Sequence, residues 1–415
     1  MRTTAAAVLA VAALAVLSAT PREGGQEWSL SLETQASPAA ANSAQPQLTV
    51  SKRGALLSWI ERSGPQATLK FSERTATGWT PAKTVASGAD WFVNWADVPS
   101  VVRLDDGTLV AHWLQKSGAG TYAYDVRLSH SKDDGKTWAA SFTPHHDGTK
   151  TEHGFATLFQ MPGAGLGAVW LDGRNMKGGG DHGAVGHASP DSDMSLRFGS
   201  FDKAWTQTAD AALDLRVCEC CPTAAAVTSD GPIVAYRDRS PDEVRDIYVT
   251  RLENGKWTAG KAVHADGWRV GACPVNGPSL SAIGRDVAIA WFNAKDAQPK
   301  SFASISNDAG RTFGVPVRLD DQASLGRVDI EMLPDGSALA AYMEFADQKA
   351  QFRVRRITRD GTKSNPTTIG GMAGTRSSGY PRMARAGDEL VFAWIDREGA
   401  SQVRTAVARV PKGRS

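Results

Sequence analysis

One short pattern returns seven times along this chain, and it leaves few folds open. Each copy is a run of alternating apolar residues, a turn rich in Gly and Asp, and a second apolar run closing on an aromatic. PSVVRLDDGTLVAHW, PSLSAIGRDVAIAW and VDIEMLPDGSALAAY are three of them. The closing aromatics are Trp59, Trp113, Trp170, Tyr236, Trp291, Tyr342 and Trp394, spaced 54, 57, 66, 55, 51 and 52 residues apart. Alternation with period two marks a half-buried strand, and a Gly/Asp turn between two such runs marks a hairpin. Self-similarity at a fixed long period means a repeat architecture, in which each unit buries its apolar face on the next.

Each unit runs on into a second hairpin. Its turn is followed by Trp79, Trp138, Trp205, Trp257 or Phe313 in the first five units, and the sixth keeps only Asp360-Gly361. The seventh stops after SQVRTAVARV, one strand short, and residues 27–32 carry a matching Trp-led pattern that is expected to supply that strand. The fold expected is therefore all-β: a seven-bladed β-propeller of four-stranded antiparallel blades closed by an N-terminal strand, with six blades as the alternative count. Closing the ring leaves only short, protected edges.

Two of the second-hairpin turns are nearly identical. Ser131-Lys-Asp133-Asp-Gly135-Lys-Thr137-Trp138 and Ser306-Asn-Asp308-Ala-Gly310-Arg-Thr312-Phe313 share the form S-x-D-x-G-x-T-aromatic. The Asp can accept backbone N–H bonds inside the turn, and Gly admits the tight geometry. This pattern resembles the Asp-box, or BNR repeat, of the sialidase superfamily of β-propellers. As a fold marker the resemblance covers the whole chain after the leader. For activity, it implies three Arg around a sugar carboxylate, a Tyr nucleophile activated by a Glu, and an Asp acid. Gly379-Tyr380-Pro381 stands where that family often has its Tyr. The first Arg is expected in an Arg-Ile-Pro motif, but that place reads Ala44-Gln45-Pro46, and the nearest look-alike, Asp97-Val98-Pro99, has Asp instead. The resemblance thus carries the scaffold further than it carries sialic-acid hydrolysis.

The N-terminus reads as a secretory signal: Arg2, an apolar stretch over residues 5–17, then Ser18-Ala19. That stretch is short for a bilayer span. The expected organisation is a signal peptide at 1–19 and a single propeller domain at 20–415, without a transmembrane segment in the mature chain, periplasmic or secreted, and monomeric. A net charge of +2 with 22% charged residues provides no basic patch, so nucleic acid is not an expected partner.

In a propeller the turns between strands one and two, and between three and four, share one face. The loops between strands two and three, and the links between blades, share the other. The unusual stretches fall almost wholly in the second set: residues 90–97, 145–153, 172–193, 218–221, 237–239, 268–273 and 375–380. Binding sites sit on loops displayed by a rigid scaffold. The starts of the innermost strands place Asp97, His153, Cys220 with Cys221, Asn276, Arg327 and Tyr380 around the central pocket. The bland reading is that these groups satisfy backbone at crowded strand ends. The functional reading takes Asp97, Tyr380 and Glu331 as catalytic candidates, with Asp329 a further carboxyl, because glycosidases need paired carboxyls or a Tyr nucleophile. Arg237, Arg239, Arg327, His153, Asn276, Asp172 and Arg174 are the ligand-binding candidates, since forked guanidinium groups suit carboxylates. The ligand expected is a glycan or another small molecule, with glycosidase or lyase chemistry open. A third reading is a scaffold that binds another protein through the 172–193 loop, which carries His182 and His187.

Cys218, Cys220, Cys221 and Cys273 fall where blades four and five begin. Two disulfides are the first expectation, with three pairings open. The alternative is a copper or zinc site built from these thiolates and a nearby His. A strained redox pair at Cys220-Cys221 is the remaining reading. The sequence has no phosphate loop, nucleophile elbow or H-E-x-x-H motif, and no other cofactor is expected.

Overall fold

The structure is a computed structural model, and it describes residues 28–163, 165–176, 193–396 and 400–411. The signal segment, His182 and His187 lie outside the described residues. Seven antiparallel sheets follow one another along the chain, as the hairpin count predicts. Their innermost strands are Ser43–Ser51, Ser100–Arg103, His153–Gln160, Ala224–Thr228, Ser279–Ile283, Ala323–Met332 and Arg382–Ala386, and each pairs with the strand that follows it. Blade 2 departs from the four-stranded pattern: outside Tyr124–Ser131 its fourth strand is reduced to a bridge between Leu128 and Phe142.

The last blade closes as expected, with an adjustment. The strand Leu32–Gln35 lies antiparallel to Gln402–Arg409, Leu32 opposite Ala408 and Gln35 opposite Thr405. The pairing strand therefore begins where the expected segment ends. Trp28 and Leu30 act as anchors instead, packed on the apolar cluster between blades 6 and 7.

The core is divided by interface. Among the described residues seven apolar clusters occur, one at each junction between neighbouring blades. This explains the periodic aromatics. Trp59 fills the junction between blades 7 and 1, Trp113 that between 1 and 2, and Trp170 that between 2 and 3. Tyr236, Trp291, Tyr342 and Trp394 continue the series. Each closing aromatic thus seals its blade against the preceding one.

The two S-x-D-x-G-x-T turns have one geometry. Asp133 Oδ1 accepts from the N–H groups of Lys136 and Thr137 and from Ser131 Oγ, while Thr137 Oγ1 donates to Oδ2 at 2.6 Å. Asp308 repeats the bonds to Ser306 and Thr312. Gly135 sits at φ +79, where an added Cβ would stand 2.6 Å from Phe71 of the preceding blade, and Trp138 meets that Phe71 edge-on. These turns lock blade to blade.

Candidate functional site

The opposite, loop-rich face is built from bulges. In blades 1, 3 and 6 the register of the inner strand slips near its start, and a non-glycine residue there adopts a left-handed φ: Gln45 at 57°, Phe155 at 51°, Arg327 at 51°. Bulges re-aim side chains and recur beside active sites. Two of them are held by the blade before. Asp97 Oδ1 accepts the Phe155 N–H at 2.8 Å, and Asn276 Oδ1 accepts the Arg327 N–H at 2.7 Å. The preceding Gly154 and Gly326 let these caps approach, since a Cβ on Gly154 would lie 2.1 Å from Asp97 Oδ2 and one on Gly326 would lie 2.2 Å from Asn276 Oδ1. Asp97 and Asn276 therefore join blades.

Below the bulges runs a channel of about 220 Å³ lined by Asp97, Asp329, Glu331, Tyr380 and Arg382 among others. Burial, with the charge of Glu152 added, pushes the Asp97 carboxyl up to about 8 against the pull of the Phe155 N–H. Burial and then the neighbouring Asp329 push Glu331 up to about 8 as well. Both are neutral at pH 7. The three catalytic candidates line one channel, but each keeps separate partners. Tyr380 donates its hydroxyl to the Val275 carbonyl at 2.6 Å, with its ring stacked on Trp95 and covered by Arg382. Burial raises its pKa above the usual tyrosine value. No carboxylate accepts from it. Beside the channel it is Tyr124 that faces two carboxylates, donating to Glu152 at 2.6 Å and lying 3.3 Å from Asp97. It is 1% exposed and stacked under Phe92.

The arginine candidates are engaged by the protein itself. Arg237 is fully enclosed and donates to the carbonyls of Asn276, Arg245 and Phe292. Arg239 holds Glu243 and Glu219. Arg174 clasps Asp172 through Nε and Nη2. Arg327 reaches the carbonyls of Gly379 and Thr375 and lies over Trp95. His153 sits between Asp147 and Asp172, its Nε2 at 3.2 and 3.7 Å from their carboxylates.

Other guanidinium groups on this face are left unpaired, Arg62 and Arg376 among them. Arg62 and Arg376 are exposed and line a pocket of about 510 Å³ between blades 7 and 1, together with Asn42, Gln45, Trp95 and Gly379. Neither side chain makes a hydrogen bond or ion pair among the described residues. The pocket adjoins the channel mouth, because Gly379 lines the pocket and Tyr380 the channel. Sequence reasoning had singled out the stretches that carry Trp95 and Arg376. The pairing of those stretches across the closure of the ring was not legible.

The four cysteines stand unbonded in the structure. Cys218 Sγ lies 3.4 Å from Cys221 Sγ and 3.8 Å from Cys220 Sγ, and Cys273 approaches Cys220. Cys218, Cys220 and Cys221 lie close together in sequence at the start of blade 4, and Cys273 joins them from the entry to blade 5. Arg245 donates to Cys218 Sγ at 3.3 Å and to Glu219. Burial pushes the Cys218 thiol up to about 11. Cys221 goes the other way. Burial opposes its ionisation, but hydrogen bonds from Cys218 and Cys220, the charge of Arg237 and the Asn276 N–H favour its thiolate.

The fold and this face define a seven-bladed β-propeller with an elaborated, loop-built mouth. In fold it is similar to a protein of unknown function from Dyadobacter fermentans (TM-score 0.52, 13% identity, 93% of this chain and 99% of that one). It is likewise similar to the polysaccharide lyase Uly1 (TM-score 0.53, 11% identity, 88% and 90%). A mutant of the NanB sialidase from Streptococcus pneumoniae also aligns, at TM-score 0.48 and 9% identity over 91% of this chain and 94% of that one. At these identities the likeness is one of fold. No protein-family model matches the chain, and no curated protein matches it either. Among the described residues no helix is long and apolar enough to cross a membrane.

Proposed function

We propose that this propeller is exported and recognises an acidic glycan in the pocket between blades 7 and 1. The observation that carries the reading is the pair of unengaged guanidinium groups, Arg62 and Arg376, beside the indole of Trp95. An aromatic wall with a few placed polar groups is the usual make-up of a small-ligand pocket, and about 510 Å³ is within the usual size range. Arginine forks suit the carboxylate of a uronic or sialic residue. Asp97 and Glu331, being neutral at pH 7, do not repel an anionic sugar from the adjoining channel. The fold relative Uly1 is named as a polysaccharide lyase, which agrees with a carbohydrate ligand. Recognition is the activity put forward, since Tyr380 donates to the Val275 carbonyl and to no carboxylate among the described residues. A glycan array tests this. Wild type should bind uronate- or sialate-bearing glycans over neutral ones, and Arg376→Ala should weaken binding about tenfold, the equivalent of about 1.4 kcal/mol. Equal binding of neutral glycans, or an unchanged Arg376→Ala, would count against it.

A second reading is favoured by the converging sulfurs of Cys218, Cys220 and Cys221, which suit a soft ion such as Cu(I) or zinc. Native and denatured mass spectra, recorded without reductant, decide it. Free thiols with an added ion mass support a thiolate metal site. A denatured chain lighter by four hydrogens, with no added mass in the native form, would mean two disulfides.

A further inference from the structure

Where blades 2 and 3 meet, a second group of side chains converges. Asp125 lies on the strand Tyr124–Ser131, His145 lies in the link that follows, and His153 opens the inner strand of blade 3. The two imidazoles stack with centroids 3.8 Å apart and planes 4° from parallel. They are 5% and 0% exposed. Both are steadied on one side by a single carboxylate: Asp147 Oδ2 lies 3.2 Å from His153 Nε2 and 3.4 Å from His145 Nδ1. Asp147 is itself fixed by the Thr149 N–H and hydroxyl and by Arg174.

The other side of each ring has no partner. His145 Nε2, His153 Nδ1 and Asp125 Oδ1 are all buried without a hydrogen bond. These three atoms face one another, Asp125 Oδ1 standing 3.9 Å from His145 Nε2 and 3.6 Å from His153 Nδ1. Those separations are too long for direct hydrogen bonds. A nitrogen that gives its N–H to Asp147 leaves a lone pair on the opposite nitrogen, so three acceptor atoms stand together, with the two imidazole lone pairs running side by side in the stack. Leaving even one buried polar atom unsatisfied costs about 1–3 kcal/mol, so three together call for an occupant. Asp125, Asp147 and Asp172 stand against the guanidinium of Arg174, with Arg127 also acting on Asp125, so three carboxylates face two cations.

We propose that Asp125 Oδ1, His145 Nε2 and His153 Nδ1 ligate a divalent first-row cation, zinc foremost, with Asp147 as the carboxylate behind both imidazoles. Zinc bonds nitrogen and oxygen at about 2.0–2.2 Å, which sets tetrahedral ligands about 3.4 Å apart. The observed 3.6 and 3.9 Å are near that spacing, and binding requires the two rings to turn out of their parallel stack so that both lone pairs meet the ion. A carboxylate hydrogen-bonded to the far nitrogen is the usual support of a metal-binding imidazole. The site is separate from the thiol cluster and from the pocket between blades 7 and 1, and it does not depend on either reading above.

Cobalt distinguishes it. Full-length protein, stripped with chelator and titrated with Co²⁺, should bind one ion whose visible spectrum lacks a thiolate charge-transfer band. Asp125→Asn, nearly isosteric, should weaken that ion at least tenfold, and Cys220→Ser should leave it unchanged. If every bound Co²⁺ carries the thiolate band and vanishes in Cys220→Ser, or if Asp125→Asn binds as wild type does, the proposal fails. A measurement on wild type alone guards against a misfolded variant. Zinc should slow backbone hydrogen exchange over residues 145–153, mapped by peptide mass, and no slowing there would overturn the assignment.

Discussion

Glu331 lines the channel and accepts from Ser281 Oγ at 2.9 Å, with Asp329 as its nearest like charge. Its carboxyl is raised to about 8 in the folded chain, while an unfolded glutamate titrates near 4.5. The folded state therefore holds a proton that the unfolded state gives up. Stability from this group is intact below about pH 4.5, falls as pH rises, and levels off above about pH 8. Glu331→Gln should abolish that slope. Because Glu331 keeps some contact with the channel, the gain at pH 9 is set at about 1–2 kcal/mol, with none at pH 4. Urea melts at the two pH values would show it, and equal effects at both would refute the assignment. At this scale the sequence was informative about residue identity and silent about engagement. Arg237 and Arg239 stand in unusual stretches, yet their donors are taken by carbonyls and carboxylates that only folding brings near. The stretch 145–153 that carries His145 stands out in the sequence, but Asp125 lies in an ordinary strand and nothing local points to it.

Among elements, the bulged inner strands decide what the loop-rich face presents. Gly326 sits at φ +71, and its missing Cβ leaves room for Asn276 Oδ1, which caps the bulge at Arg327. An alanine there costs about 1–2 kcal/mol for the left-handed backbone. Displacing Asn276 and losing its bond adds about 1–3 kcal/mol. Gly326→Ala should therefore lower unfolding free energy by about 2–4 kcal/mol and unseat Arg327 from Trp95, readable as a change in indole fluorescence. A loss below about 0.5 kcal/mol would mean that the bulge relaxes freely. Strands and turns were legible because alternation and Gly/Asp punctuation are local. The bulges were not, because a one-residue slip leaves the alternating pattern intact on either side of it. The missing fourth strand of blade 2 escaped for a related reason: Trp138 kept its place while the pairing beyond it dwindled to one bridge.

For the whole molecule, ring closure is the governing event. Gln402–Arg409 would be an open edge without Leu32–Gln35, and an open edge is a template for aggregation. Removing residues 28–36 should lower the melting temperature and shift the protein to aggregates on gel filtration, and a stable monomer would show that the strand is dispensable. Seven repeats, their aromatics and the closure by the N-terminus were set by the sequence itself, because each rests on a period or a local turn that survives without neighbours in space. What only the tertiary structure decided is which distant residues meet. The sulfurs converge, Asp125 and two stacked imidazoles bring unsatisfied atoms together, and Arg62 and Arg376 line one pocket at the seam between the last blade and the first. Those encounters depend on the twist and register of packed blades, and no spacing along a single chain encodes them.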